Sequence, residues 1–144
     1  MYATQNGHSE VTKLLLARDD VDVKEKDKDN CSPLSWAARS GHSEVTKLLQ
    51  ARDDIDVNSK DRWDRSPLLY AAQSGHSEVT KLLLARDDVE VNSKDRWDRS
   101  PLSYAVEYGH LEVTKHLLAQ DDVDVNSKDK YDQSLLIPKI TFNI

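Results

Sequence analysis

The chain has 144 residues, enough for one domain or a short repeat array, and its 20 basic and 26 acidic side chains give a net charge of −6. Net acidity repels phosphate backbones at long range, which argues against a nucleic-acid partner and weakly favours basic partners. No apolar run approaches the roughly 20 residues of a membrane-spanning helix, and the single cysteine cannot form an intrachain disulfide. The chain starts without the charged and apolar regions of a signal peptide, so we expect a cytoplasmic or nuclear protein that contacts no membrane.

An internal repeat organises the whole sequence. Positions 41–74 and 75–108 are identical at 27 of 34 places, which indicates one structural unit copied about four times. Glycines, each followed by histidine, recur every 34 residues at Gly7, Gly41, Gly75 and Gly109. We predict a single array made of a partial repeat 1–24, repeats 25–58, 59–92 and 93–126, and a degenerate partial repeat with a tail at 127–144.

The first helix of the unit is clearest within 59–92. Ser66-Pro67 predicts its start, because serine caps free backbone N–H groups and proline fits the first helical position. Leu68, Ala71 and Ala72 then form one apolar stripe, and the small alanines allow a neighbouring helix to approach closely.

A second helix follows a tight turn. Gly75 supplies the positive φ that ends the first helix, and the second helix opens at residue 76 or 77, with Val79, Leu82 and Leu83 as its apolar stripe. Two antiparallel helices of about ten residues each result, and stacking against neighbours must stabilise them. The polar loop 85–92 contains two valines two residues apart, which predicts an extended segment, and a charged turn at 93–99 leads to the next unit.

The succession Ser-Pro-Leu-x-x-Ala-Ala-x-x-Gly-His-x-Glu-Val-x-x-Leu-Leu-Leu, followed by Asp-Val-Asn-x-x-Asp, resembles the ankyrin repeat over nearly the whole chain. The resemblance implies an all-α solenoid of stacked helix-turn-helix units with hairpin-like loops. It also implies a non-catalytic module, without a cofactor, that binds a protein segment on its concave face. A narrower resemblance links the chain to the repeat tails of fungal NOD-like proteins with NTPase domains.

The sequence departs from the family at two kinds of position. Serine and leucine replace the usual threonine and histidine around the Pro-Leu step, so the family's Thr–His hydrogen bond is missing. The glycine of the family's turn is replaced by residues that adopt left-handed geometry less easily, at Asn30, Asp64, Asp98 and Asp132. These departures predict an array of modest stability.

Candidates for chemistry have simpler structural interpretations. The repeated Gly-His histidines are expected to brace turns rather than bind a metal, and the acidic loops lack the glycine and closing glutamate of a calcium loop. Serines such as Ser66 and Ser100 are better explained as helix caps than as nucleophiles, and no phosphate loop or nucleophile elbow occurs. We predict neither a metal nor a catalytic residue. His116 is expected to be a half-exposed polar substitution, and Cys31 a surface thiol.

The candidate binding surface begins with aromatic residues in the charged turns. Trp63, Trp97 and Tyr131 recur 34 residues apart, where core packing does not explain them, and interfaces favour aromatic residues and arginine. The resemblance places the partner on the turn tips, at Lys28, Asp29, Arg62, Trp63, Arg65, Arg96, Trp97, Arg99, Lys130 and Tyr131. It extends this surface along the first helices to Arg39, Gln73, Ser74, Glu107 and Tyr108. The alternative is that the rings stack on each other and on arginine stems only to stabilise adjacent turns.

The ends of the array leave further functions open. Tyr2 aligns with Tyr70, so the chain begins within a unit, and Leu135 stands where proline begins the other units. Neither end reads as a polar cap, which stacked repeats normally need. We expect either a fragment of a larger protein, such as the sensor tail of an NTPase switch, or a unit that self-associates through its ends.

Overall fold

The computed structural model describes residues 1–136; residues 137–144, which include most of the predicted tail, lie outside them. The described part of the chain contains α-helices and no strand. In chain order the helices are α1 (Tyr2–Gln5), α2 (Ser9–Leu16), α3 (Pro33–Ser40), α4 (Ser43–Gln50), α5 (Pro67–Ser74), α6 (Ser77–Leu84), α7 (Pro101–Glu107) and α8 (Leu111–Leu118).

The helices form two rows. The first helices of successive units, α1, α3, α5 and α7, pack side by side, and the second helices α2, α4, α6 and α8 form a parallel row behind them. Within a unit, the two helices also contact each other, as α5 and α6 do. This arrangement confirms the predicted all-α solenoid of stacked helix-turn-helix units.

The predicted start and stop signals act as expected. The Ser66 hydroxyl accepts a hydrogen bond of 3.2 Å from the Leu69 N–H, which caps α5 ahead of Pro67. Gly75 ends that helix with a φ of 75°, and α6 begins at Ser77. The helices are shorter than the predicted ten residues, with 8 in both α5 and α6, because each turn follows directly on its capping residue.

The predicted apolar stripes form a continuous core between the rows. Leu68, Ala71, Val79 and Leu83 are almost completely buried, and equivalent residues of the neighbouring units pack against them. Of the two loop valines, Val91 is buried and the preceding one is partly buried. The segment is extended without pairing as a strand.

The repeated histidines join neighbouring units rather than only bracing their own turns. His76 Nε2 donates a 3.0 Å hydrogen bond to the Arg39 carbonyl oxygen of the preceding unit, and His110 bonds to the Gln73 carbonyl oxygen in the same way. The histidine ring fits only because glycine precedes it across the interface: a Cβ at Gly75 would lie 2.5 Å from the His110 ring.

Asparagines provide a second link between units. Asn58 donates a 2.7 Å hydrogen bond to the Asp88 carbonyl oxygen and accepts a 2.8 Å bond from the Glu90 N–H. Asn92 makes the equivalent pair of bonds to the following unit. Lys24 occupies this position in the first unit, and lysine cannot accept the second bond.

Two side chains differ in informative ways from the sequence expectation. Cys31 was expected to be a surface thiol, and this is wrong: its relative exposure is 3%, because the turn folds it against the start of α3. Burial, together with the charges of Asp27 and Asp61, raises the pKa of the Cys31 thiol to about 12. His116 is half-buried, as expected.

Candidate partner-binding surface

One aspartate organises each turn tip. Asp61 Oδ1 accepts hydrogen bonds of 2.9 Å from the Trp63 N–H and 3.0 Å from the Arg65 N–H, and its other oxygen accepts from the Tyr70 hydroxyl on α5. The chain reverses at Asp64, whose φ is 61°. The charged turn therefore has a fixed shape and is tied to the first helix of its own unit.

The same construction recurs in the neighbouring units. The Trp36 indole donates a 2.8 Å hydrogen bond to Asp27, and the Tyr104 hydroxyl donates one of 2.6 Å to Asp95. Burial would raise the pKa of Asp27, but the Cys31 N–H and the Trp36 indole lower it below its ordinary value. Burial and the Asp95 carboxylate raise the pKa of Tyr104 to about 12.

Backbone hydrogen bonds join the tips into a strip. The Arg62 N–H donates to the Asp29 carbonyl oxygen, and the Arg96 N–H donates to the Trp63 carbonyl oxygen, both at 3.0 Å. The Lys130 N–H continues the series to the Trp97 carbonyl oxygen. Adjacent units therefore present their tip side chains in register along one edge of the solenoid.

All the predicted binding residues reach solvent. Those with exposed side chains are Lys28, Arg39, Arg62, Ser74, Arg96, Glu107, Tyr108, Lys130 and Tyr131. The half-buried ones are Asp29, Trp63, Arg65, Gln73, Trp97 and Arg99.

Arginine side chains separate the aromatic rings of the tips. The Arg65 guanidinium carbon lies 5.8 Å from the centre of the Trp63 ring and 5.6 Å from that of Trp97, and Arg62 covers Trp63 at 4.8 Å. Within the described residues the two tryptophans do not stack on each other. These contacts hold the rings in place by cation–π attraction, and they leave the predicted binding role to be tested.

A groove of about 370 Å³ lies at the C-terminal part of the surface. It gathers seven of the predicted residues, namely Arg65, Gln73, Trp97, Arg99, Glu107, Tyr108 and Tyr131. It also includes Tyr104, Asp129 and Gln133, which the sequence analysis did not select. Predicted residues of the earlier units, such as Lys28 and Arg39, lie outside it.

The sequence analysis missed the aromatic residues of the first helices. Trp36, Tyr70 and Tyr104 stand nine residues after the organising aspartates and contact the arginines of the surface. Their recurrence every 34 residues was visible. They resembled ordinary core aromatics because the distance from an aspartate of the preceding turn carries no known motif.

The described residues include no helix long and apolar enough to cross a membrane. Over the same part of the chain, no group of three or more histidine, cysteine or acidic side chains is arranged to hold a metal ion.

Stacked two-helix units, linked by histidine and by hairpin-like tips, define the class of helical repeat solenoids. A family model described as ankyrin repeats in three copies matches residues 1–61 and 53–129, and the chain therefore belongs to the ankyrin-repeat family. No curated protein matches the sequence. Ankyrin repeats are in general protein–protein interaction modules and non-catalytic scaffolds.

Proposed function

We propose that the chain is a protein-binding adaptor that holds a segment of its partner against the turn tips and the ends of the first helices. The fixed array of rings and guanidiniums at Trp63, Arg65 and Trp97 carries this proposal. Aromatic and arginine side chains that are already held in place lose little conformational entropy on binding, which is what interface centres require.

The proposal is tested by comparing partner capture by matched variants. We expect W97A and R96E to lose the partners that the unmodified chain captures, because both replacements lie on the tips. K47A/K81A changes exposed lysines of α4 and α6 and serves as the control. Circular dichroism checks that each variant is folded, and capture that depends on the lysines but not on the tips contradicts the proposal.

The position of exposed apolar side chains favours a second candidate function, end-to-end assembly of copies. Leu14 and Leu15 of the first unit are 74% and 45% exposed, and Leu111 and Leu118 of the last are 63% and 51% exposed. Identical repeats make the two ends complementary, so contacts would be heterologous and could propagate. Light scattering with size-exclusion chromatography should show oligomers that grow with concentration and disappear in L111E, whereas a monomer at all concentrations excludes assembly.

The third candidate, a sensor tail of a fungal NOD-like NTPase switch, depends only on the resemblance of the repeat sequence. It predicts an NTPase domain encoded next to this array. Sequencing the flanking gene would test it, and a flanking region without such a domain contradicts it.

A further inference from the structure

Two arginines in the middle of the surface flank one aromatic ring. The guanidinium carbons of Arg39 and Arg65 lie 5.6 Å and 5.7 Å from the centre of the Tyr70 ring. Arg39 also covers Trp36 at 5.2 Å. Both charged groups are therefore held on a floor of aromatic rings at the point where the tips meet the first helices.

Neither arginine has an acidic partner within the described residues, although neighbouring arginines do. Arg62 forms an ion pair of 3.1 Å with Asp29, and Arg99 forms an ion pair with Glu107. Arg65 has none, and its Nε is both shielded from solvent and without a hydrogen-bond partner. Its charge is thus partly desolvated before any partner arrives, which strengthens its attraction for an anion.

The repeat itself shows what is missing beside Arg65. Arg65 and Arg99 occupy the same position in successive units, and Gln73 stands where Glu107 stands in the next unit. One unit therefore supplies its own carboxylate to the arginine, and the other offers only a neutral amide. The pair of Arg99 with Glu107 shows that a carboxylate fits beside a guanidinium at this position.

Charge is unevenly distributed between the loops and the rest of the chain. The loops after the second helices contain twelve of the 26 acidic residues and only three of the 20 basic ones, at 18–22, 52–56, 86–90 and 120–124. The remainder of the chain, which includes the tips and the first helices, consequently has more basic than acidic residues. The net charge of −6 does not describe the binding surface.

We propose, on the basis of the adaptor function, that the surface selects an acidic protein segment whose carboxylates pair with Arg65 and Arg39. An extended segment places alternate side chains on one side, roughly 7 Å apart, so two acidic residues can reach the two guanidiniums that flank Tyr70. Nucleic acid fits less well, because exposed acids such as Asp64 and Asp98 point from the same tips and repel a continuous phosphate backbone.

Tryptophan fluorescence provides a direct measurement on the full chain. The three tryptophans, Trp36, Trp63 and Trp97, all lie in this surface. A short peptide of alternating glutamate and serine should change their emission, and the same peptide with glutamine in place of glutamate should not. Added salt should weaken binding, because it screens the local attraction. Strengthening by salt would mean that the overall negative charge dominates, which overturns the proposal.

Matched variants locate the site. R65Q should weaken binding of the acidic peptide about tenfold, which is typical of losing a charged hydrogen bond. Q73E should weaken it similarly without removing any arginine, because the new carboxylate pairs with Arg65 internally. E107Q should strengthen binding by freeing Arg99. Circular dichroism confirms folding, and Q73E together with E107Q keeps the test valid even if R65Q fails to fold.

The outcomes separate this inference from the adaptor function. Unchanged affinity in Q73E and E107Q overturns the inference, as does tighter binding of single-stranded DNA or of a phosphoserine peptide than of the glutamate peptide. If captured partners prove basic or neutral and still depend on Trp97, the adaptor function stands and the acidic segment is excluded. If neither Trp97 nor Arg65 affects any partner, both proposals fail.

Discussion

Each turn depends on a single aspartate that accepts hydrogen bonds from two backbone N–H groups and one aromatic side chain. Asp95 receives the Trp97 and Arg99 N–H groups at 2.9 Å and 3.0 Å, and the Tyr104 hydroxyl at 2.6 Å. A carboxylate is suited to this task because it only accepts hydrogen bonds and has room for several donors. The tyrosine is consequently held in its protonated form, which makes the stability of the fold sensitive to alkali.

The free energy of unfolding should fall as the pH rises from about 10 to about 12. Tyr104 has a pKa of about 12 in the folded chain, above the ordinary value of about 10 in the unfolded chain. Its contribution is complete below the unfolded pKa and is lost as the pH passes through the folded pKa. Urea unfolding at a series of pH values should show this fall, and Y104F should show a shallower one; equal slopes would contradict the assignment.

Cys31 should react slowly with thiol reagents in the folded chain. The thiol is buried, and its pKa of about 12 keeps the reactive thiolate scarce near pH 8. Reaction with an aromatic disulfide, followed by absorbance, should be at least about a hundredfold faster in urea than in buffer, because unfolding removes both effects. Fast labelling of the folded chain would show that the second turn opens readily.

The turn between the two helices of a unit depends on glycine for two separate reasons, and the chain separates them. Gly75 and Gly109 both have positive φ, of 75° and 68°. A Cβ at Gly75 would meet the ring of His110, whereas a Cβ at Gly109 meets nothing within 4 Å.

Replacing these glycines by alanine should therefore have unequal effects. G109A should cost about 1 kcal/mol, from the left-handed backbone alone. G75A should cost at least about 2 kcal/mol, because His110 must also move and lose its bond to the preceding unit. Thermal and urea unfolding of both variants measure the difference, and equal losses would mean that the histidine link contributes little.

The Asn links suggest how to strengthen the array. K24N should add bonds to the Asp54 carbonyl oxygen and the Asp56 N–H, as Asn58 bonds to the unit after it. We expect a gain of about 1 kcal/mol, typical of net hydrogen-bond contributions. N92A should lose a comparable amount and serves as the reference. A lack of any gain in K24N would indicate that the first interface does not close as the second does.

The repeat made the helices and their caps predictable, because Ser66, Pro67 and Gly75 act through local geometry. The role of His76 was only partly predictable, since its partner lies 37 residues away and no local pattern encodes a bond to a backbone oxygen. The burial of Cys31 could not be inferred, because its counterparts Arg65 and Arg99 reach solvent from the same position. A small thiol sinks into the turn where a long charged chain extends out of it.

The candidate surface was predictable in its outline but not in its pairing. Trp63 and Trp97 were found by their recurrence, and both reach solvent. Whether a given arginine is paired depends on one side chain of the first helix, glutamine at 73 and glutamate at 107, whose contact with the tip appears only in three dimensions. The modest stability expected from the missing Thr–His bond stays a prediction; serine pairs such as Ser66 with Ser93, 3.1 Å apart, link the units at that place.

Across the molecule, the histidine, asparagine and backbone-ladder bonds between units each join one unit to its immediate neighbour. Asn58 would find at Asp122 the same carbonyl oxygen that it finds at Asp88, since Asn92 already bonds there. The chain can therefore lose a complete period without leaving any of these bonds unanswered. Deleting 59–92 should give a shorter folded protein with fewer core contacts, a lower melting temperature and a truncated binding strip; calorimetry would check it, and an unfolded product would contradict it. A gene built in this way can change the length of its binding surface by recombination between its own copies, and each gain or loss alters reach without requiring any interface to be reinvented.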